Sequence, residues 1–365
     1  MSQTHHGQSM FRQFGNPLRG FFSKKPYLSS ELLSLLHVFE QNLAESLRKL
    51  MAVDNKDVLS LSWMRVAMDT LCTIHDSLKT LITDLKFPSA DWDNKWINMY
   101  LEDSVKLLDI CLALISEVSR LDQCQLLLRY SLHLLDPANN YPPEKAKKAH
   151  TCLQDWMQKI SSRSPKLENC PATLQVLEGS LYFGKVKDSA KGEILGRALY
   201  GLKVVTVFIC SLLVAAFSGH SKPLLLNFDV PRKFTWAVAF TDLQAYVNNE
   251  ILNLFPSGKV ASPREVEAVR VAVEQFTISN HVNCNEEALV PVRNSTQEEG
   301  LQETVSKLIK SAEELDGGLD LLSKQVNTFF KIVLTGRDAL LNTLRGSDFA
   351  PQSNKDANLK AMNLK

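Results

Sequence analysis

Apolar residues recur at steps of three and four along most of this chain, the repeat that lays one face of an α-helix against a core. The first stripe is Leu32, Leu36, Phe39, Leu43, Leu47 and Leu50. Ser30 reads as its cap, because a serine hydroxyl can accept from a free amide of the first turn. A second stripe passes through Trp63, Ala67, Leu71, Ile74, Leu78, Leu81 and Leu85 and stops at Pro88, which lacks the N–H that a helix needs. His75 stands beside that stripe and reads as a core or helix-surface histidine. From Trp92 to Leu135 the spacing predicts one helix roughly 60 Å long. Its expected inner stripe is Ile97, Leu101, Val105, Leu108, Leu112, Ile115, Val118 and Leu121. Leu107, Ile110, Leu114 and Leu126 widen it, the pattern of a central helix touched on several sides.

Beyond a turn at 138–143, Glu144 to Ile160 reads as a fourth helix, and 161–171, holding Pro165 and Pro171, as a loop. Arg232 to Phe255 predicts a helix carrying Trp236, Leu243 and Val247, and Ser262-Pro263 opens another that reaches Phe276. The stretch 278–300, polar and interrupted by Pro291, reads as a long flexible loop. From Leu301 the residues Val305, Leu308, Ala312, Leu315, Leu319, Leu322, Val326, Phe329 and Val333 give heptads of coiled-coil quality. Ile309, Phe330 and Ile332 are apolar at the flanking positions, which favours packing within the chain over a dedicated zipper. Gly317-Gly318 should weaken or bend this helix. The expected fold is all-α, an elongated multi-helix bundle. It divides into a disordered basic arm or targeting segment (1–27), helical parts at 28–183 and 184–346, and a disordered tail (347–365).

Ala198 to Phe217 is the most apolar run. Its uninterrupted part, Val204 to Phe217, spans about 21 Å as a helix, short of a hydrocarbon core of about 30 Å. Extended back to Ala198 it is long enough, at the cost of including Gly201 and Lys203. Two readings follow: a buried central helix, or a membrane segment through Ala198, Lys203, Val204, Leu212 and Phe217 with the lysine reaching one interface. In the second reading the sequon Asn294-Ser295-Thr296 would lie on the far side and acquire a sugar.

Charge and chemistry narrow the field. A net charge of +1 provides no basic face for nucleic acid. The seven cysteines, Cys72, Cys111, Cys124, Cys152, Cys170, Cys210 and Cys284, form no C-x-x-C pair and fit small buried side chains in a reducing compartment. His281 and Cys284 are a lone H-x-x-C, too little for a metal. No phosphate loop, H-E-x-x-H or nucleophile elbow occurs, so no catalytic residue, cofactor or metal is assigned. Ser189-Ala190-Lys191-Gly192 and Thr335-Gly336-Arg337-Asp338 place glycine beside a basic residue, which suits an anion or, more simply, a hinge or packing glycine. Residues 1–27 are basic and free of acids, as are both disordered arms and plastid or mitochondrial transit peptides, and no secretory signal opens the chain.

Several stretches resemble the plant BYPASS family and its ROH-type relatives. They are Phe-Gly-Asn-Pro at 14–17, Leu-Ser-Leu-Ser-Trp-Met at 59–64, Leu-Ile-Thr-Asp-Leu at 81–85, Asp-Trp-Asp-Asn-Lys-Trp-Ile at 91–97 and Val-Lys-Leu-Leu-Asp-Ile-Cys at 105–111. Ser-Ala-Lys-Gly at 189–192, Phe-Thr-Asp-Leu-Gln at 240–244 and Val-Leu-Thr-Gly-Arg-Asp at 333–338 continue the series. The resemblance implies a plant protein required for normal root and shoot development, which restrains a root-made mobile signal that arrests shoot growth. It implies an intracellular place, plastid-directed or membrane-associated, and cytoplasmic otherwise. It carries no catalytic residues. Three functions are therefore expected to compete: a non-enzymatic regulator that binds a protein partner, a membrane-associated trafficking adaptor contacting the exocyst as ROH-type relatives suggest, and an enzyme of small-molecule signal metabolism.

Overall fold

The computed structural model describes residues 29–51, 58–86, 94–135, 143–181, 189–218, 226–254, 262–284 and 295–348. Among them the chain is all-α, with no strand. The helices are α1 (Ser30–Met51), α2 (Leu61–Asp84), α3 (Asn94–Leu134), α4 (Pro143–Ser161), α5 (Pro165–Glu168), α6 (Cys170–Gly179), α7 (Ala190–Ser218), α8 (Ala237–Leu254), α9 (Arg264–Cys284) and α10 (Ser295–Asp348). The 41 residues of α3 and 54 of α10 make rods of about 60 and 80 Å, so the molecule is long.

Helix starts follow local chemistry. Ser29, one residue earlier than expected, caps α1 by accepting from the Leu32 amide at 3.2 Å. Ser60 caps α2 through the Trp63 amide at 3.0 Å. Glu265, in the first turn of α9, accepts the Leu61 amide through both carboxylate oxygens at 3.0 Å. One acid thus satisfies the amide end of another helix 204 residues away and places negative charge at its positive pole.

Packing interleaves the chain. α7 lies among α1, α2, α3, α5 and α6; α10 lies along α2, α3 and α9; α4 lies on α3, and α8 on α1. One apolar cluster draws on every helix. Close approach uses glycine where a side chain would not fit: a Cβ on Gly196 would come within 2.6 Å of the Trp96 ring, and one on Gly318 within 2.8 Å of Leu61. Gly318 is therefore a contact point between α10 and α2, and α10 runs helical through both glycines. Buried Glu40 ties three segments together by accepting from Arg197 of α7 at 2.8 Å and from the Thr235 amide at 3.1 Å.

Several expectations need correction. Prolines 165 and 171 open helices α5 and α6 rather than breaking structure, since proline suits the first turn, whose N–H has no partner in any case. The stretch 278–300 is helical at both ends, because α9 runs to Cys284 and α10 begins at Ser295. α8 begins at Ala237 rather than Arg232, after turns closed by the Phe234 amide on Pro231 and the Ala237 amide on Phe234. Those turns let Phe234 and Trp236 stack at 5.7 Å, and Trp236 meet Phe240 edge-on at 5.9 Å. The α3 stripe is covered at Ile97, Val118 and Leu121 but not in its middle: Val105 and Leu112 are each 43% exposed, while Leu107, Ile110, Cys111 and Leu114 are buried. Neighbours on several sides select the face that is covered, and spacing alone does not reveal which face that is. The arm 1–27, the tail beyond 348 and Asn294 lie outside the described residues.

Candidate functional site

The apolar run falls inside the bundle. Ala198, Val204, Leu212 and Phe217 are all buried in α7. By length and composition α7 could cross a membrane, yet 83% of its most apolar window is covered by the protein itself. Lys203 is held within the protein. Its ammonium donates to Asp103 of α3 at 2.6 Å and to the Ser180 hydroxyl at 2.7 Å, with only 10% of its side chain exposed.

Two of the stretches that carry the resemblance, 189–192 and 333–338, make contacts between helices. Ser189 caps α7 by accepting from the Gly192 amide at 3.1 Å. Lys191 then donates to the Lys86 carbonyl at 2.9 Å, placing a cation at the negative pole of α2. Lys86 itself adopts φ 43°, the left-handed turn that commonly ends a helix. On α10, Gly336 faces the Tyr100 hydroxyl, and Arg337 donates to the Leu101 carbonyl and, at 3.1 Å, to the Ser104 hydroxyl. The two glycine motifs therefore serve capping and packing.

Between these helices lie two spaces. An inner chamber of about 50 Å³ is bounded chiefly by apolar side chains of α3, α6, α7 and α10, with His75, Tyr100, Asp103, Ser104, Lys203 and Thr206 as its polar lining. An outer vestibule of about 300 Å³ opens between α2 and α10, past Lys79, Thr83, Lys86, Thr335 and Gly336. His75 and Tyr100 line both.

Electrostatics define what the chamber can do. Burial pushes the His75 imidazole down to about 3, so it stays neutral, sharing a hydrogen bond of 3.3 Å with Thr206 and meeting Phe329 edge-on at 5.0 Å. Burial pushes the Tyr100 phenol up to about 12, partly opposed by Arg337. Acid–base work near neutrality needs a group that titrates there, and neither of these does. Burial likewise raises the thiols of Cys72 and Cys210 to about 12 and Cys170 to about 11, which suppresses the reactive thiolate. Among the described residues no three His, Cys, Asp or Glu side chains gather where an ion could sit. The side chain of Cys284 lies outside the described residues.

Sequence reasoning placed His75 correctly beside its stripe but missed Tyr100, Asp103 and Thr206. The spacing of Tyr100, Asp103, Ser104 and Leu107 along one side of α3 was the available signal. Outside the chamber, the uncovered middle of the α3 stripe leaves an apolar seam of half-buried Leu101 and Leu108 alternating with exposed Val105 and Leu112.

The chain matches the ROH1-like family over residues 4–166 and 169–344. It belongs to that family. Among curated members it is 44% identical to Protein BPS1, chloroplastic, of Arabidopsis thaliana, over 92% of this chain and 90% of that protein. It is 39% identical to UPF0496 protein 4 of Oryza sativa subsp. japonica, over 96% and 98% of the respective lengths. Protein ROH1D of Arabidopsis thaliana is more distant, at 21% over 87% and 89%. No solved structure matches the chain. Membership in the ROH1-like family accords with the resemblance to BYPASS and ROH-type proteins.

Proposed function

We propose that this protein is a non-enzymatic regulator of plant root and shoot development. In this reading it restrains production of a root-derived mobile signal by binding a protein partner through an outer helical face. Similarity to BPS1 along nearly the whole chain supports the regulatory role. The observation that carries protein binding is the α3 seam. Leu101, Val105, Leu108 and Leu112 follow the four-three-four spacing with which one helix receives another, yet two of them are exposed. An amphipathic helix of the partner is the class of segment that fits such a seam.

Proximity labelling in roots, comparing the natural chain with Val105→Asp/Leu112→Asp, tests this reading. The variant is expected to fold, to lose a partner that the natural chain labels, and to fail to restore shoot growth in plants lacking the protein. A variant that keeps both the partner and the rescue, or measurable turnover by the purified natural protein, contradicts the reading.

A second reading, a membrane-associated trafficking adaptor, is favoured by one observation, the length and apolar composition of α7. It requires α7 to leave the core it occupies. Carbonate-resistant membrane association of the natural chain, with Asn294 glycosylated, would support that reading over the first.

A further inference from the structure

We propose that the chamber and vestibule around Tyr100 form a binding site for a small, neutral, largely apolar molecule bearing one hydroxyl or carbonyl oxygen, which docks on the Tyr100 hydroxyl. This goes beyond the protein-binding role, because the site lies on different residues from the α3 seam.

Protein interiors rarely leave space larger than a water molecule, and here two spaces flank the same two side chains. Together they fall at the lower end of the range for small-molecule sites, roughly 300 to 1,000 Å³. The vestibule provides entry, and the chamber is shaped for the end of a ligand. Gly336 explains part of the space. It sits within a 54-residue helix, where glycine is the poorest choice after proline. A Cβ added there would stand 3.2 Å from the Tyr100 hydroxyl, so the missing side chain leaves room in front of that group.

The polar lining selects one kind of ligand. His75 and Thr206 bond to each other at 3.3 Å. Ser104 donates to the Leu101 carbonyl at 2.8 Å and accepts from Arg337. The chamber's charges, Asp103 and Lys203, bind each other at 2.6 Å. The Tyr100 hydroxyl makes no hydrogen bond within the described structure, so it is the open donor and acceptor at the junction of the two spaces. In the chamber a charged ligand end would find no free counter-charge, whereas an apolar end with one oxygen leaves nothing unpaired; the charged side chains Asp76, Lys79 and Lys86 border only the vestibule.

The test uses prodan, a neutral naphthyl ketone whose emission shifts to the blue in apolar surroundings, titrated into the full chain. Saturable blue-shifted emission is expected. Tyr100→Phe, which removes one oxygen, should weaken binding by about three- to tenfold, the effect of one lost neutral hydrogen bond. Gly336→Leu, which fills the vestibule, should abolish it. Val105→Asp/Leu112→Asp should bind prodan as the natural chain does, so failure at the seam is told apart from failure here. Circular dichroism confirms the fold of each variant; if Gly336→Leu does not fold, Tyr100→Phe decides alone. Non-saturable emission, or unchanged affinity in Tyr100→Phe, overturns the proposal.

Discussion

α7 and α3 are both long, leucine-rich helices, and their surroundings separate them. α7 is covered on nearly every side, down to Val205, Phe208, Ile209, Leu212 and Leu213, each of them fully or almost fully buried. α3 is covered by several neighbours as well, yet two residues of its best-spaced stripe, Val105 and Leu112, remain in solvent. A helix that is apolar all round has no face to leave out. A striped helix in a crowded bundle can present its most regular face outward, where it is free to receive another chain.

The comparison can be broken at its strongest point first. Phe208→Ala in α7 removes a ring packed edge-on against Phe240 at 5.3 Å and Phe228 at 6.1 Å, and should cost about 3–5 kcal/mol in urea unfolding. If α7 stabilised a membrane-inserted form instead, this loss in urea unfolding would be small.

Next comes the tie between the two helices. Lys203→Met leaves the Asp103 carboxylate, 18% exposed, without the ammonium that it accepts from. We expect a cost of about 1–3 kcal/mol, below the figure for a fully buried pair because both groups keep some solvent. Lys203→Met/Asp103→Leu should recover much of it, and a double-mutant cycle reads the coupling.

An effect of similar size sharpens the chamber that the two helices share. His75 lies at about 3 in the folded chain, below the ordinary 6.5, so the unfolded chain binds the extra proton. Its neutral form therefore contributes full stability above about pH 6.5, and that contribution falls as the pH drops from there toward 3. Between pH 7 and pH 5 the loss should be about 2 kcal/mol. Urea midpoints across that range, compared with His75→Gln, check it; an equal slope in both proteins would assign the dependence to other groups. The smallest effect belongs to the seam, where Val105→Asp/Leu112→Asp should change stability by no more than about 0.5 kcal/mol per site.

Most helices were legible because their stripes are long. α5 and α6 were hidden because proline was taken as a breaker where it stood in a first turn. The seam was taken for core, since a period of three and four reports a face without saying which neighbour covers it. The chamber was the least legible part. His75 and Thr206 are 131 residues apart, and the pairing of Lys203 with Asp103 joins positions that spacing along one helix cannot relate.

The account rests on equal spacing hiding unequal burial, and a matched pair of substitutions tests it most directly. Leu212→Ala and Leu112→Ala delete the same atoms from α7 and α3, and urea unfolding of both compares the two surroundings alone. Leu212→Ala should cost about 2–5 kcal/mol and Leu112→Ala less than about 1 kcal/mol. Equal costs would contradict the account.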